Sequence, residues 1–130
     1  MPHQIIEYSA NLEQQLDIQA LVDGLHEAAM KIDGLPLGGL RTRAVRRDTY
    51  QVADQHPDNA FVHMILKVGH GRDEATRKAF GEAIFASLCE LLEPVSSTSP
   101  LAISFEIQEI HAVLTWKKNN LRDYMAKRSN

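Results

Sequence analysis

The sequence predicts an α+β fold in which two βαβ units form one four-stranded sheet with two helices on one face. Two segments have apolar residues at helical spacing, and each lies between runs that are typical of β-strands. One of those runs, residues 101–108, alternates apolar and polar side chains, as a strand with one buried face does. The chain is 44% hydrophobic and 24% charged, which is the composition of an ordinary globular domain.

The first βαβ unit begins with a predicted strand over residues 2–8. Asn11 is predicted to cap the following helix, because Asn is a preferred N-cap residue and Gln14 follows three residues on. Gly34 and Pro36 end that helix. Residues 40–47 then form the second strand. The buried face of the helix is expected to consist of Leu12, Leu16, Leu21, Leu25, Ala28 and Ala29.

The second unit repeats the pattern. Ala60–Val68 is a nearly continuous apolar run, which predicts a well-buried strand. Asp73 is predicted to cap the second helix, and Pro94 with the Ser/Thr-rich stretch at 96–100 to end it. Residues 101–108 form the last strand of the unit. The buried face of the second helix is expected to consist of Phe80, Ala83, Ile84, Leu88, Leu91 and Leu92.

A single domain is expected for a chain of this length. It spans residues 1–130, with βαβ halves at about 1–48 and 59–110 and a C-terminal extension. In that extension we predict a short strand at 113–116 and a terminal helix near 121–127.

The predicted sheet leaves one face without a covering helix. The polar side of residues 101–108 can meet water there, but the apolar run at Ala60–Val68 predicts burial on both faces. We therefore expect an oligomer in which the sheets of neighbouring copies pack on each other.

The second residue is the first candidate for chemistry. The sequence starts Met1-Pro2, and removal of a methionine before a small residue would give Pro2 a free secondary amine. An α-amino group titrates at about 7.7–8. Burial or nearby cations lower its pKa toward the range in which a general base works best. Many chains start with Met-Pro, so this dipeptide alone does not identify an enzyme.

Three arginines are candidates for anion binding. Arg41 and Arg43 are two residues apart in an extended segment, so their side chains lie on the same face. Arg72 lies in the loop before the second predicted helix, where a guanidinium and helix N-terminal amides form a natural anion site. Arginine binds a carboxylate through two hydrogen bonds. Alternatively, each is a solvated surface cation, paired with Asp48 or a glutamate.

Other polar residues are expected to be structural. Arg46 and Arg47 fit a solvated surface, and Cys89 fits a small core residue. The six histidines lack the His-x-x-x-His spacing of metal ligands, and there is no Cys-x-x-Cys. No metal site is therefore expected.

Composition also limits partners and location. A net charge of −3 gives no reason to expect nucleic acid or an anionic membrane surface. No apolar run approaches the roughly 18 residues of a membrane helix. The N-terminus lacks the pattern of a signal peptide. Because a lone cysteine fits a reducing compartment, we expect a cytoplasmic protein.

Pro2, the βαβ duplication and the arginine positions together resemble the tautomerase superfamily. Within it, the chain is most similar to the 5-carboxymethyl-2-hydroxymuconate isomerase family. The resemblance extends over nearly the whole chain and is carried by residues 1–3, 36–43, 60–72, 101–107 and 116–120.

The resemblance implies a homotrimer of βαβ pairs around a threefold axis, with an N-terminal proline as general base and no cofactor. Pro2 would be that base, and Arg41 and Arg72 match the family's carboxylate-binding arginines. We add Arg43 to the substrate-binding set because of its same-face spacing. The implied activity is the keto-enol tautomerisation of a small, carboxylated muconate in aromatic-compound catabolism.

Two alternatives remain open from the sequence. The same residues would serve another tautomerase-type reaction on an oxo-acid, such as decarboxylation or hydration. Residues 45–57 and 96–100 diverge from the family, and a pocket bordered by either would take a different substrate. A non-catalytic trimeric binding protein with the same fold is the other alternative. Retention of Met1 would favour it, because the nitrogen of Pro2 would then be an amide.

Overall fold

The computed structural model describes residues 1–128. Within them, four strands and three helices follow one another, with short 3₁₀ turns at Ala10–Gln14 and Leu37–Gly39. The strands are β1 (His3–Ser9), β2 (Arg41–Arg47), β3 (Ala60–Val68) and β4 (Leu101–Glu109). The helices are α1 (Ile18–Met30), α2 (Glu74–Ser96) and α3 (Leu121–Arg128).

The four strands form one sheet in the order β2-β1-β3-β4. β1 pairs in parallel with β2 and β3 with β4, while β1 and β3 are antiparallel at the centre. This confirms the prediction of two βαβ units in one sheet. Because the halves are antiparallel, β1 and β2 start at the end of the sheet where β3 and β4 finish. His3 accordingly lies opposite both Arg41 and Lys67.

The core lies between one face of the sheet and the two long helices, as predicted. Ile6 from β1 and Ile84 and Leu88 from α2 are fully buried there. The side chains predicted for the helix faces are buried or partly buried except Ala83, although Leu12 and Leu16 precede α1. Ala83 is exposed, since it lies about 100° around the helix from Ile84. Other fully buried side chains of the core are Leu12, Leu21, Leu25, Met64, Leu66 and Leu92.

Substitution of Leu88 by alanine is expected to lower the free energy of unfolding by about 2–5 kcal/mol, because it leaves a cavity in this core. Urea unfolding monitored by circular dichroism measures the change. Glu90→Ala on the exposed side of the same helix is the control, with an expected change of about 0.5 kcal/mol or less. Equal unfolding free energies for the two variants would contradict this packing.

No helix covers the opposite face of the sheet within residues 1–128. In the single chain, β3 is fully buried on its helix side and half-buried on this open face. Arg47 pairs there with Glu7, whose Oε2 lies 2.6 Å from the arginine Nε. Arg46 pairs with Asp48 at 2.7 Å, and also with Glu13. The expectation that Arg46 and Arg47 are ion-paired surface cations is therefore confirmed.

The first helix begins later than predicted. α1 starts at Ile18, and Asp17 is its N-cap, with Oδ1 accepting hydrogen bonds from the amides of Gln19 and Ala20. The prediction that Asn11 caps the helix is wrong. The side-chain amide of Asn11 instead donates to the carbonyl of Asn59 at 2.9 Å. The sequence does not distinguish an Asn that caps a helix from one that binds a backbone group far along the chain.

The second helix also differs from prediction at its end. α2 continues through Pro94 to Ser96. A proline inside a helix removes one backbone donor. The helix continues here because the next turn still closes, with the amide of Ser97 donating to the carbonyl of Glu93 at 3.0 Å.

In the C-terminal extension, the terminal helix is confirmed and the strand at 113–116 is wrong. The Nδ1 atom of His111 accepts hydrogen bonds from the amides of Val113 (3.0 Å) and Leu114 (2.7 Å). This turns the backbone instead of extending it. The segment runs over the surface, and Trp116 is 84% exposed. None of the helices in residues 1–128 is long and apolar enough to cross a bilayer.

Candidate active site

The candidate site lies at the end of the sheet where the chain begins. Pro2 is buried just before β1, and its carbonyl accepts a hydrogen bond from the amide of Arg41 at 3.2 Å. The loop after β3 and the segment after β4 arrive at the same end. Pairing of the strands therefore brings three distant parts of the sequence together around the N-terminus.

A cavity of about 590 Å³ opens beside Met1 at this end of the sheet. None of its lining residues is Asp or Glu. The lining includes three cations, Arg41, Lys117 and Lys118, and three histidines, His3, His70 and His111. A second cavity of about 330 Å³ also contacts Met1. A cation-rich surface without carboxylates is suited to binding an anion.

Met1 precedes Pro2 in this structure, so the free amine is that of Met1 and the nitrogen of Pro2 is an amide. Burial lowers the pKa of the Met1 amine below its ordinary value of 8.0, and the charges of Lys117, Arg72 and Arg41 lower it further. The side chain of Met1 lies on Gly39. A Cβ at residue 39 would be 3.0 Å from Cγ of Met1, which is closer than an ordinary van der Waals contact, so any larger residue would require Met1 to shift.

Arg41 lines the larger cavity, next to the N-terminus. Its Nε donates to the carbonyl of Gly39 at 3.4 Å, and one terminal nitrogen lies 3.4 Å from the sulfur of Met1. None of the ion pairs formed within residues 1–128 includes Arg41. Its guanidinium is therefore available to a ligand.

Arg72 lies beside the cavity but does not line it. Its guanidinium donates to the carbonyls of Gly34 (2.7 Å) and Gly69 (3.3 Å) and lies 5.5 Å from the ring centre of Phe80. Its charge nevertheless acts on the N-terminal amine, as described above. Asp73 caps α2 directly after it, as predicted, with Oδ1 accepting from the amide of Thr76 at 2.8 Å.

Arg43 is on the same face of β2 as Arg41 but is also outside the cavity lining. Its guanidinium lies 3.1 Å from Nδ1 of His3. Burial is the main cause that lowers the pKa of His3, and the positive charges of Arg41 and Arg43 lower it further. His3 itself lines the cavity. Of the four predicted site residues, Pro2 and Arg41 thus lie at the N-terminal site, with Arg72 and Arg43 in the surrounding shell.

Lys117 and Lys118, for which no sequence pattern predicts a role, are brought into the cavity lining by the C-terminal extension. The side-chain amide of Asn119 donates to the carbonyl of Gly38 at 2.8 Å and attaches this segment to the turn before β2. The signal was in the stretch 116–120, which carries part of the resemblance. The polar residues of this stretch have no periodic spacing, so the sequence does not predict where the segment lies in the fold.

His70 also lines the cavity, and its Nδ1 lies 3.6 Å from Oε2 of Glu109. The other oxygen of Glu109 lies 3.4 Å from Arg77. Residues 1–128 contain no group of three or more His, Cys, Asp or Glu side chains placed to hold a metal ion.

Comparison with known proteins identifies the family. The sequence model of the 5-carboxymethyl-2-hydroxymuconate isomerase family matches residues 2–125. A 5-carboxymethyl-2-hydroxymuconate Delta-isomerase of Escherichia coli is 37% identical over 121 residues, which is 93% of this chain and 96% of the relative.

Solved structures agree with the sequence comparison. A 5-carboxymethyl-2-hydroxymuconate isomerase from Deinococcus radiodurans R1 superposes with a TM-score of 0.87 at 36% identity, covering 95% of this chain and 93% of that one. A fused 4-OT symmetric trimer shares the fold at a TM-score of 0.61 and 19% identity, over 83% and 86% of the two chains. The fold is thus that of the tautomerase superfamily, and the chain belongs to the 5-carboxymethyl-2-hydroxymuconate isomerase family.

Proposed function

We propose that this chain is a cofactor-independent isomerase that converts 5-carboxymethyl-2-hydroxymuconate between its enol and keto forms, with Pro2 as general base. The observation that carries the proposal is the cavity beside the N-terminus, which combines three cations with no carboxylate in its lining. A muconate with a carboxymethyl group bears three carboxylates. Such a substrate complements the charge of the cavity.

The proton transfer is assigned to Pro2. Removal of Met1 frees the amine of Pro2 at the buried start of β1. The neutral amine accepts the proton of the enol oxygen, and the electron pair moves along the conjugated system. The same proton is then delivered to carbon, which gives the conjugated ketone. Atoms and electrons balance within the substrate, so the reaction needs no oxidant, reductant or cofactor.

The arginines bind and orient the substrate in this proposal. Arg41 binds a carboxylate directly and stabilises the charge of the dienolate intermediate. Arg72 and Arg43 are assigned to carboxylate binding from the surrounding shell. Arg72 would exchange its 3.3 Å contact with the carbonyl of Gly69 for the substrate, and Arg43 its contact with His3.

A homotrimer is the proposed assembly, with residues 1–130 as one domain. Support comes from the open face of the sheet, where Ile5 and Ile65 are paired across β1 and β3 and only half-buried in the single chain. The fused 4-OT relative with this fold is itself a trimer. A cytoplasmic role in aromatic-compound catabolism is proposed with it, in keeping with the single cysteine.

The proposal is tested by an ultraviolet assay of the ketonisation of 5-carboxymethyl-2-hydroxymuconate, with protein whose mass confirms removal of Met1. Turnover far above the buffer rate is expected. The control is protein that retains Met1, in which the nitrogen of Pro2 is an amide and cannot act as the base. Failure of the processed protein to accelerate the reaction would overturn the proposed substrate and leave a reaction on another oxo-acid, or a binding role, to be tested.

The pH profile of kcat/KM gives a further prediction. The base must be neutral, so kcat/KM rises with pH through the pKa of the amine in the free enzyme. Burial and the charges of Lys117, Arg72 and Arg41 lower the pKa of the Met1 amine from its ordinary value. The Pro2 amine freed by removal of Met1 is expected to have a lowered pKa for the same physical reasons. In a profile measured from pH 5 to 10, the acid limb is therefore expected at a lower pH than the pKa of the proline amine in an unfolded peptide that starts with Pro2. A limb at the pKa of that peptide would show that the cations do not act on the base.

A further inference from the structure

We propose that Lys117 is a substrate-binding residue, whose ammonium group binds one of the substrate's carboxylates next to the N-terminal amine. This inference deepens the proposed function and rests on it. It adds to the site a residue from the C-terminal extension, a part of the chain that lies outside both βαβ units.

The first argument is position. Two cavities meet at the N-terminus, of about 590 and 330 Å³. Met1 and Lys117 are the two residues that line both of them. Lys117 therefore stands at the junction of the two spaces, beside the N-terminal residue.

The second argument is availability. None of the ion pairs within residues 1–128 includes Lys117, and its side chain is exposed. Arg72, by contrast, already donates to two backbone carbonyls. Lys127, another cation of the C-terminal extension, also has a partner, because its ammonium lies 4.9 Å from the ring centre of Tyr124. Lys117 can thus bind an anion without giving up another charged partner.

The third argument is attachment. Asn119, two residues further on, donates to the carbonyl of Gly38 at 2.8 Å. Arg122 packs so closely on Gly38 that a Cβ there would lie 2.5 Å from its Cγ. The extension is thereby held against the turn that leads into β2 and Arg41. The turn at Leu37–Gly39 thus positions both cations. It leads directly into Arg41, and it holds the segment of Lys117 through Asn119.

The electrostatics agree with this position. Burial has the largest effect on the pKa of the N-terminal amine and lowers it. Of the three cations that lower this pKa further, Lys117 has the largest effect, followed by Arg72 and Arg41. A cation that close to the base is also close to the atoms that exchange a proton with it. Lys117 thus joins Arg41, Arg72 and Arg43 as a cation placed to bind one of the three carboxylates of the substrate.

The test compares Lys117→Met and Lys117→Arg with Lys78→Met, which removes the same charge from an exposed position on α2. Lys117→Met is expected to lower kcat/KM for 5-carboxymethyl-2-hydroxymuconate by about ten- to a hundredfold, the effect of one lost charge-assisted contact. Most of the loss is expected in KM, and the acid limb of the pH profile should move to higher pH. Lys117→Arg should recover most of the affinity, and Lys78→Met should behave as wild type.

A binding measurement separates this inference from the proposed function. Tricarballylate is a saturated tricarboxylate that cannot isomerise, and titration calorimetry measures its affinity without turnover. Lys117→Met should weaken its binding by the same factor as it lowers kcat/KM. If wild-type protein binds tricarballylate through Lys117 but does not turn over the muconate, the proposed function fails and the anion site stands. An affinity that Lys117→Met leaves unchanged overturns the role of Lys117, whatever the turnover.

Discussion

Substitution of Pro2 by alanine is expected to lower kcat/KM for 5-carboxymethyl-2-hydroxymuconate by about 10²- to 10⁴-fold, the usual contribution of a positioned general base. Alanine keeps an amine at the same place in the chain but loses the ring that fixes the nitrogen relative to the backbone. Pro2 is buried between Met1 and His3, which line the cavity, and its carbonyl accepts a hydrogen bond from the amide of Arg41, so its position at the start of β1 is fixed. The loss should appear mainly in kcat, since the carboxylate-binding residues are unchanged.

Three controls make the Pro2 result interpretable. Mass spectrometry must show that Met1 is absent from both proteins. Circular dichroism must show that the fold is retained. Glu90→Gln, on the exposed side of α2, should retain wild-type activity. Full activity of a processed Pro2→Ala protein would show that the reaction does not depend on the pyrrolidine ring of Pro2.

The second large effect is expected for Arg41→Ala, which should lower kcat/KM by roughly ten- to a hundredfold. The guanidinium has no carboxylate partner within residues 1–128 and lines the cavity, so it is placed to bind a substrate carboxylate. A contact to a charged group is worth about 1.5–3 kcal/mol, which corresponds to this range. KM should rise more than kcat falls, because the contact also holds the ground state.

Arg46→Ala is the matched control for Arg41. Both arginines lie on β2, but Arg46 is at the far end of the strand, on the side away from the open face, and pairs with Asp48 and Glu13, so its loss should leave the kinetics unchanged. The acid limb of the pH profile should move to higher pH in Arg41→Ala only, since the charge of Arg41 lowers the pKa of the N-terminal amine. Equal kinetics for the two variants would remove Arg41 from the site.

Local patterns were sufficient for most of the fold. Strand Ala60–Val68 has the predicted bounds, and the alternating pattern at 101–108 corresponds to β4. Asp73 caps α2 as predicted. These features depend on side-chain periodicity and on hydrogen bonds between residues close in sequence. The errors, at Asn11, Pro94 and 113–116, occur where a contact beyond the local pattern decides the backbone.

The sequence by itself determined the two βαβ units, the one-sided packing of the helices, and Pro2 and Arg41 as candidates for chemistry. Tertiary structure alone decided which cations share a cavity with the N-terminus. Lys117 reaches it because the antiparallel pairing of β1 and β3 brings the end of β4 to the start of β1, and because Asn119 binds Gly38. Arg72 instead donates to the carbonyl of Gly34, and Arg43 contacts His3. Charge alone does not predict this division, because an arginine's partner is set by what the fold places within its reach.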